Sequence, residues 1–161
     1  MRRRVLLIAA LLAAAPGSGA PQEEALLPLA TDLQQLGEQS RRTRLPIVLL
    51  FSTPGCPYCR EVRRNYLAPL LVADTPAVPA PLIREIVITG RDAMVDFEGR
   101  ATTHAQFAER QGIAMVPVVM AVDSGGRGIG EPLIGLDASG FYNAYLESLL
   151  ALARAQAGES R

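Results

Sequence analysis

The sequence predicts an α/β three-layer sandwich, a sheet with helices packed on its two faces. Three observations carry that expectation. Apolar runs rich in Val and Ile, each short enough for a buried strand, occupy residues 45–52, 82–89 and 116–122. Amphipathic or capped stretches separate them. A Gly-rich turn, Asp123-Ser124-Gly125-Gly126, sends the chain back as a further strand. The order reads α–β–α–β–α–β–β–α.

The elements follow from local chemistry. Leu26, Leu29, Leu33 and Leu36 recur at helical spacing, so residues 28–39 read as an amphipathic helix, and Arg41-Arg42-Thr43-Arg44 reads as a solvated break. The run 45–52 ends at Thr53-Pro54-Gly55. A helix begins at Cys56-Pro57, because proline suits the first helical position, and it presents Val62, Tyr66 and Leu67 on one face. Pro69 kinks that helix or restarts it over 70–73. Residues 75–81 hold three prolines and form a loop before the strand 82–89. Residues 90–101, with Asp92, Asp96, Glu98 and two glycines, read as an exposed connection, a solvated loop rather than an acidic lip. Thr102 or Thr103 caps a helix to about residue 111, with Phe107 inward and Gly112 as its stop. The strand 116–122 pairs through the turn with an antiparallel strand 128–134. The last helix runs from Asp137 to about Ala155 with Phe141, Tyr145, Leu149 and Leu152 on its inner stripe, and residues 157–161 fray.

With 161 residues, 49% apolar and 20% charged, the chain is of one-domain size and too apolar to be disordered. All 16 basic residues are Arg, and three of them lie in the first four positions. Beyond residue 20, 13 Arg face 16 acids, about −3, which argues against a nucleic-acid partner held by phosphate contacts. Two Cys in one four-residue window exclude a multi-bridge disulfide scaffold.

The first twenty residues have the layout of a secretory signal peptide: basic residues 1–4, an apolar run over 5–15, and small residues at Ser18 and Ala20. The run is too short to span a bilayer, which needs roughly 20 apolar residues. Cleavage after Ala20 is expected, although Pro21 is an unfavourable neighbour. The expected organisation is a signal peptide 1–20, an N-terminal helix and linker 21–44, one domain over 45–156 and a frayed tail 157–161. Export exposes the cysteines to oxidising conditions.

Cys56-Pro57-Tyr58-Cys59 stands where a buried strand hands over to a helix. Free N–H groups and the positive end of the helix dipole favour a thiolate at Cys56. The offset of three lets Cys59 reach it and close a disulfide, with Cys56 exposed and attacking and Cys59 shielded and resolving. Pro57 stiffens the turn, and Tyr58 covers the site from the solvent side. A purely structural disulfide across four residues would remove little chain entropy. Zinc usually needs four protein ligands, and only His104 and carboxylates could join the two Cys. Buried free thiols would be an odd choice in an exported chain. The context therefore favours redox use of the pair, with no metal and no cofactor beyond a redox-active Cys56–Cys59 disulfide.

On these residues, together with Val116-Pro117 opening a later hairpin, the chain resembles the thioredoxin superfamily, and within it the periplasmic SoxW-like and disulfide-isomerase-related proteins. The resemblance covers roughly residues 46–153 and implies a thioredoxin-like α/β/α sandwich with a central mixed sheet and an extra N-terminal helix. It implies a cis proline facing the cysteines, a role that falls to Pro117, with Val116 presenting backbone to a substrate. It further implies a monomeric periplasmic thiol–disulfide oxidoreductase. Its partners would be protein thiols and disulfides, and it would work in the reducing or isomerising direction with electrons from a membrane thiol reductase. Substrate contacts are expected at Pro117, Val116, Pro57 and Tyr58. One departure is plain: thioredoxins proper carry a buried acid six residues before the first Cys, where this chain has Leu50.

The rival from another class is a periplasmic copper-binding chaperone using the two thiolates and His104, with Met94, Met115 and Met120 as soft candidates. Methionines in strands are more often packing. His104, the one histidine, is expected to be solvated or to cap its helix rather than to act as a base on the thiols.

Overall fold

A computed structural model describes residues 27–137 and 139–159. The expected signal segment and its cleavage site lie outside the described residues. A four-stranded mixed sheet forms the middle layer in the order β2-β1-β5-β6. Its centre is β1 (Ile47–Ser52), buried at every position, which is why this run carries no polar alternation. β2 (Leu82–Val87) pairs with it in parallel, and β5 (Val118–Val122) antiparallel on the other side. β6 (Gly128–Ile134) returns antiparallel to β5, through the turn expected at 123–126.

Alternation along β1 divides the core. Val48 and Leu50 join Val62, Leu67, Tyr142, Leu146 and Leu149 on one face. Ile47, Leu49 and Phe51 join Leu33, Leu36, Met94 and Phe107 on the other. The first face is covered by the helical run that starts at Cys56 and by the C-terminal helix, the second by the helices Leu33–Thr43 and His104–Arg110.

α1 (Leu33–Thr43) begins five residues later than its leucine spacing suggests. Asp32 caps it by accepting from the Gln35 N–H at 2.8 Å, and residues before it pair with β2 instead: the Ala30 N–H donates to the Glu85 carbonyl and the Glu85 N–H to the Pro28 carbonyl. At its other end the helix continues through Arg41 and Arg42, expected as a loop, where cations suit the dipole, and it stops at Arg44 in the left-handed region.

α2 (Pro57–Glu61) passes without a break into a π-helical turn (Val62–Leu67) and α3 (Ala68–Val72), so Pro69 sits in a continuous helical run rather than ending one. The expected exposed connection over 90–101 is instead a hairpin of β3 (Ala93–Val95) and β4 (Ala101–Thr103). At its turn Asp96 is fully buried and accepts from the Glu98 and Arg100 N–H groups and from the guanidinium groups of Arg100 and Arg110. A carboxylate that reads as a solvated loop residue in sequence is thus the hub of the turn. Thr103, one of the two expected caps, begins α4 (His104–Arg110) in a capping box with Gln106.

α5 (Tyr142–Glu159) continues past the expected start of fraying. Its inner stripe is Tyr142, Leu146, Leu149, Leu150 and Ala153, whereas Phe141, Tyr145 and Leu152 are exposed. The helix is apolar on most sides, so spacing alone offers two stripes offset by one residue, and docking against the sheet selects between them. No described helix is long and apolar enough to cross a membrane.

Candidate functional site

Cys56 stands at the junction of the Thr53–Gly55 bend with α2. Its backbone is extended, Pro57 occupies the first helical position, and the Cys59 N–H donates to Cys56 Sγ at 3.1 Å. An N–H directed at a sulfur at a helix start is the environment that stabilises a thiolate there. The helical run behind it is continuous to Val72, so the aligned dipoles belong to more than the five residues of α2.

The two sulfurs are joined in a disulfide, with Cα atoms 5.3 Å apart. Cys59 is completely buried while Cys56 is only partly so. An incoming sulfur therefore has access to Cys56 and none to Cys59. Tyr58 is exposed, 61% accessible. It lines a cleft of about 350 Å³ with Val116, Pro117, Gly135, Leu136 and Asp137. The Val116–Pro117 peptide is cis, and Pro117 is buried just before β5 begins at Val118. The fold thus brings Tyr58 of the cysteine motif together with Val116 and Pro117, some sixty residues later, around one opening. Pro57 is exposed beside it. At the cleft's far side Asp137 accepts from the Ser139 and Phe141 N–H groups, which hold its carboxyl below the usual range.

His104 departs from expectation. It is 1% exposed; Val87 N–H donates to its Nδ1 at 3.0 Å, which leaves the proton on Nε2 to bond the Ala30 carbonyl at 2.7 Å. Both ring nitrogens are engaged in tying β2, α4 and the segment before α1 together. The histidine is a structural staple, and neither a solvated residue nor a third ligand for the cysteine pair. Met94 is packed in the core, and Met115 is exposed ahead of Val116.

Sequence reasoning passed over three residues that meet at the end of β1. Glu85 of β2 is buried at the level of Leu50, its partner across the strand pair. Arg63 donates to it twice, Nε at 3.0 Å and Nη2 at 2.6 Å, and the Ser52 hydroxyl donates to the same carboxylate. The available signal was a carboxylate inside the apolar run Leu82–Val87; nothing in linear spacing points from it to Arg63.

The profile of the thioredoxin-like domain family matches residues 33–145. No curated protein matches the chain. Among solved structures, the chain is similar to a thioredoxin-fold protein from Helicobacter pylori at 16% identity, over 74% of this chain and 75% of that one, with a TM-score of 0.51. It is similar to a DsbH oxidoreductase at 15% identity, over 86% and 96% of the two chains, with a TM-score of 0.50. A poplar thioredoxin h mutant aligns at 14% identity, over 83% and 88%, again with a TM-score of 0.50. At these identities the structural likeness speaks for the fold. Because the family match spans well over half of the sequence and runs from α1 through the cysteine motif into α5, the chain belongs to the thioredoxin-like domain family.

Proposed function

We propose that this protein is an exported, periplasmic thiol–disulfide oxidoreductase that works as a monomer on protein thiols and disulfides, in the reducing or isomerising direction. The observation that carries the reading is the asymmetry of the pair: an accessible sulfur that accepts an N–H at a helix start, bonded to one that is wholly buried. The family and the fold support the same chemistry.

In the reducing direction, the Cys56 thiolate attacks one sulfur of a client disulfide. A Cys56–client bond forms, and the other client sulfur leaves as a thiolate. Cys59 then loses its proton and attacks the Cys56 sulfur, closing the internal disulfide and releasing the second client thiolate. Two electrons pass to the client, and a membrane thiol reductase supplies two more to reduce the pair again. Cys59 lies one helical turn inside Cys56, so the resolving attack is intramolecular and faster than escape of a trapped client. Val116 and Pro117 offer backbone to the client strand along the cleft they share with Tyr58. Export rests on the basic, apolar and small-residue layout of residues 1–20.

Cys56→Ser should abolish disulfide exchange, whereas Cys59→Ser should accumulate mixed disulfides with client proteins on non-reducing gels. Retained exchange in Cys56→Ser, or no adduct with Cys59→Ser, would refute the assignment.

A further inference from the structure

The cleft beside the disulfide does not end at Pro117. The Gly135 N–H donates to the Pro117 carbonyl at 2.8 Å, which fastens the turn after β6 to the start of β5. Gly135 makes that turn at a φ of 74°, in the left-handed region that suits glycine. Two extended residues span at most about 7 Å, so the bond keeps Asp137 close to the cis proline. Asp137 lines the cleft with Tyr58, and it also lines a second cleft of about 340 Å³ with Pro132, Ile134, Tyr142 and Tyr145. Leu136 is shared in the same way, so the two openings adjoin at Leu136 and Asp137.

Charge and side-chain type along this surface favour one kind of client. Among the described residues that line the two clefts, Asp137 alone carries a charge. Its Oδ1 accepts from the Ser139 N–H and its Oδ2 from the Phe141 N–H, which fixes the carboxylate in place and keeps it ionised. Each carboxylate oxygen can accept a second donor. Tyr58 stands exposed in the first cleft, and Tyr145, 52% accessible, in the second. Tyrosine faces attract cations, and a guanidinium stacks on such a ring while its N–H groups reach a carboxylate. Pro117, Leu136 and Ile134 suit the aliphatic stem of a long cationic side chain. An acidic side chain in either cleft meets a like charge. Arg60 and Arg64, exposed on the active-site helix, line neither cleft.

We infer that Asp137 is a specificity-determining residue: with Tyr58 and Tyr145 it selects polypeptide clients that carry an Arg or Lys side chain close to the reacting cysteine. The inference rests on the oxidoreductase reading above and names its class of client. The client sulfur meets Cys56, the client backbone follows Val116 and Pro117, and the cation settles on Asp137. The carboxylate moves no proton and no electron. It acts by raising the encounter of a cationic client with Cys56.

The test uses the full chain, reduced and then separated from its reductant, with short peptide disulfides that differ in one residue. Each peptide has a single cysteine and carries Arg, its neutral isostere citrulline, or Glu, one or two residues from that cysteine on either side. Two identical peptides joined through their cysteines form the substrate. The reduced pair gives two electrons to the peptide disulfide, both peptides leave as thiols, and the Cys56–Cys59 bond closes. Rates are divided by those of the same peptides with mercaptoethanol, which removes any effect of Arg on its own sulfur. At the favoured position Arg should exceed citrulline about threefold to fivefold, near the upper end of what an exposed ion pair supplies, and Glu should fall below citrulline. Asp137→Asn should bring the ratio of Arg to citrulline to about one, and Asp137→Lys should put Glu first. If Asp137 only held the turn, its loss would slow all three peptides alike and leave the ratio unmoved, and that result overturns the inference. If neither variant folds, the parent decides. Its preference for Arg should fall toward one in about 1 M salt, where the Debye length is about 3 Å, and a preference that salt leaves intact overturns the inference. A parent that exchanges with every peptide at one normalised rate overturns this inference alone. A parent that exchanges with none overturns the oxidoreductase reading and this inference together.

Discussion

Tyr142 shows how a single side chain can be held by shape more than by polarity. Its ring lies 4.6 Å from that of Tyr66 at a tilt of 55°, a favourable aromatic geometry, and it is 2% exposed at the start of α5. Burial pushes its hydroxyl well above the usual tyrosine range, so it stays protonated throughout. That hydroxyl meets no hydrogen-bond partner among the described residues. Tyr142→Phe should therefore change stability by less than about 1 kcal/mol, while Tyr142→Ala should cost about 3–5 kcal/mol through the cavity it opens. Urea midpoints distinguish the two. A Phe variant that loses as much as the Ala variant would show that the hydroxyl, not the ring, carries the site.

Elements are locked to one another at points that glycine and buried charge make possible. Gly37 lies inside α1, where alanine would ordinarily gain about 1 kcal/mol of helix propensity. Here a Cβ would overlap the Ser124 carbonyl oxygen in the β5–β6 turn, a backbone atom with little freedom to retreat. Gly37→Ala should destabilise by about 1–3 kcal/mol, a reversal of sign that thermal unfolding would reveal. The β3–β4 hairpin depends in the same way on Asp96, whose carboxylate draws the turn and α4 together. Asp96→Asn keeps the shape and removes the charge, and should cost about 1.5–3 kcal/mol by weakening charge-assisted bonds. A neutral result would mean that the surrounding N–H groups suffice.

The whole molecule should lose stability in acid through carboxylates of this kind. Burial by itself would raise Asp96 and Asp123, but in each case bonds from N–H groups and a guanidinium outweigh it, with Arg100 acting on Asp96 and Arg127 on Asp123, so both lie below the ordinary range. A carboxyl depressed in the folded state contributes stability that is fully present above its unfolded value, near 3.9, and is lost as pH falls through the folded value. The stability difference between the parent and Asp96→Asn should thus stay constant above about pH 5 and shrink below about pH 4. A difference that already shrinks between pH 7 and 6 would assign the effect to another group.

What the sequence determined by itself was whatever physics confines to a few neighbouring residues. The unbroken apolar run Ile47–Ser52 made a central strand, Pro57 after Cys56 made a helix start with a sulfur at its mouth, and Thr103 with Gln106 made a cap. Those signals were enough for the layered fold and for the cysteine pair. The tertiary structure decided everything that needs partners distant in the chain. It selected the buried stripe of α5 between two that spacing allows, and it turned the acidic stretch around Asp96 into a hairpin hub. It tied His104 to a carbonyl 74 residues away, and placed Arg63 on a carboxylate 22 residues away. A buried polar residue is stable only with its partner, and the partner's identity is set by which strands and helices meet, information that no local pattern contains.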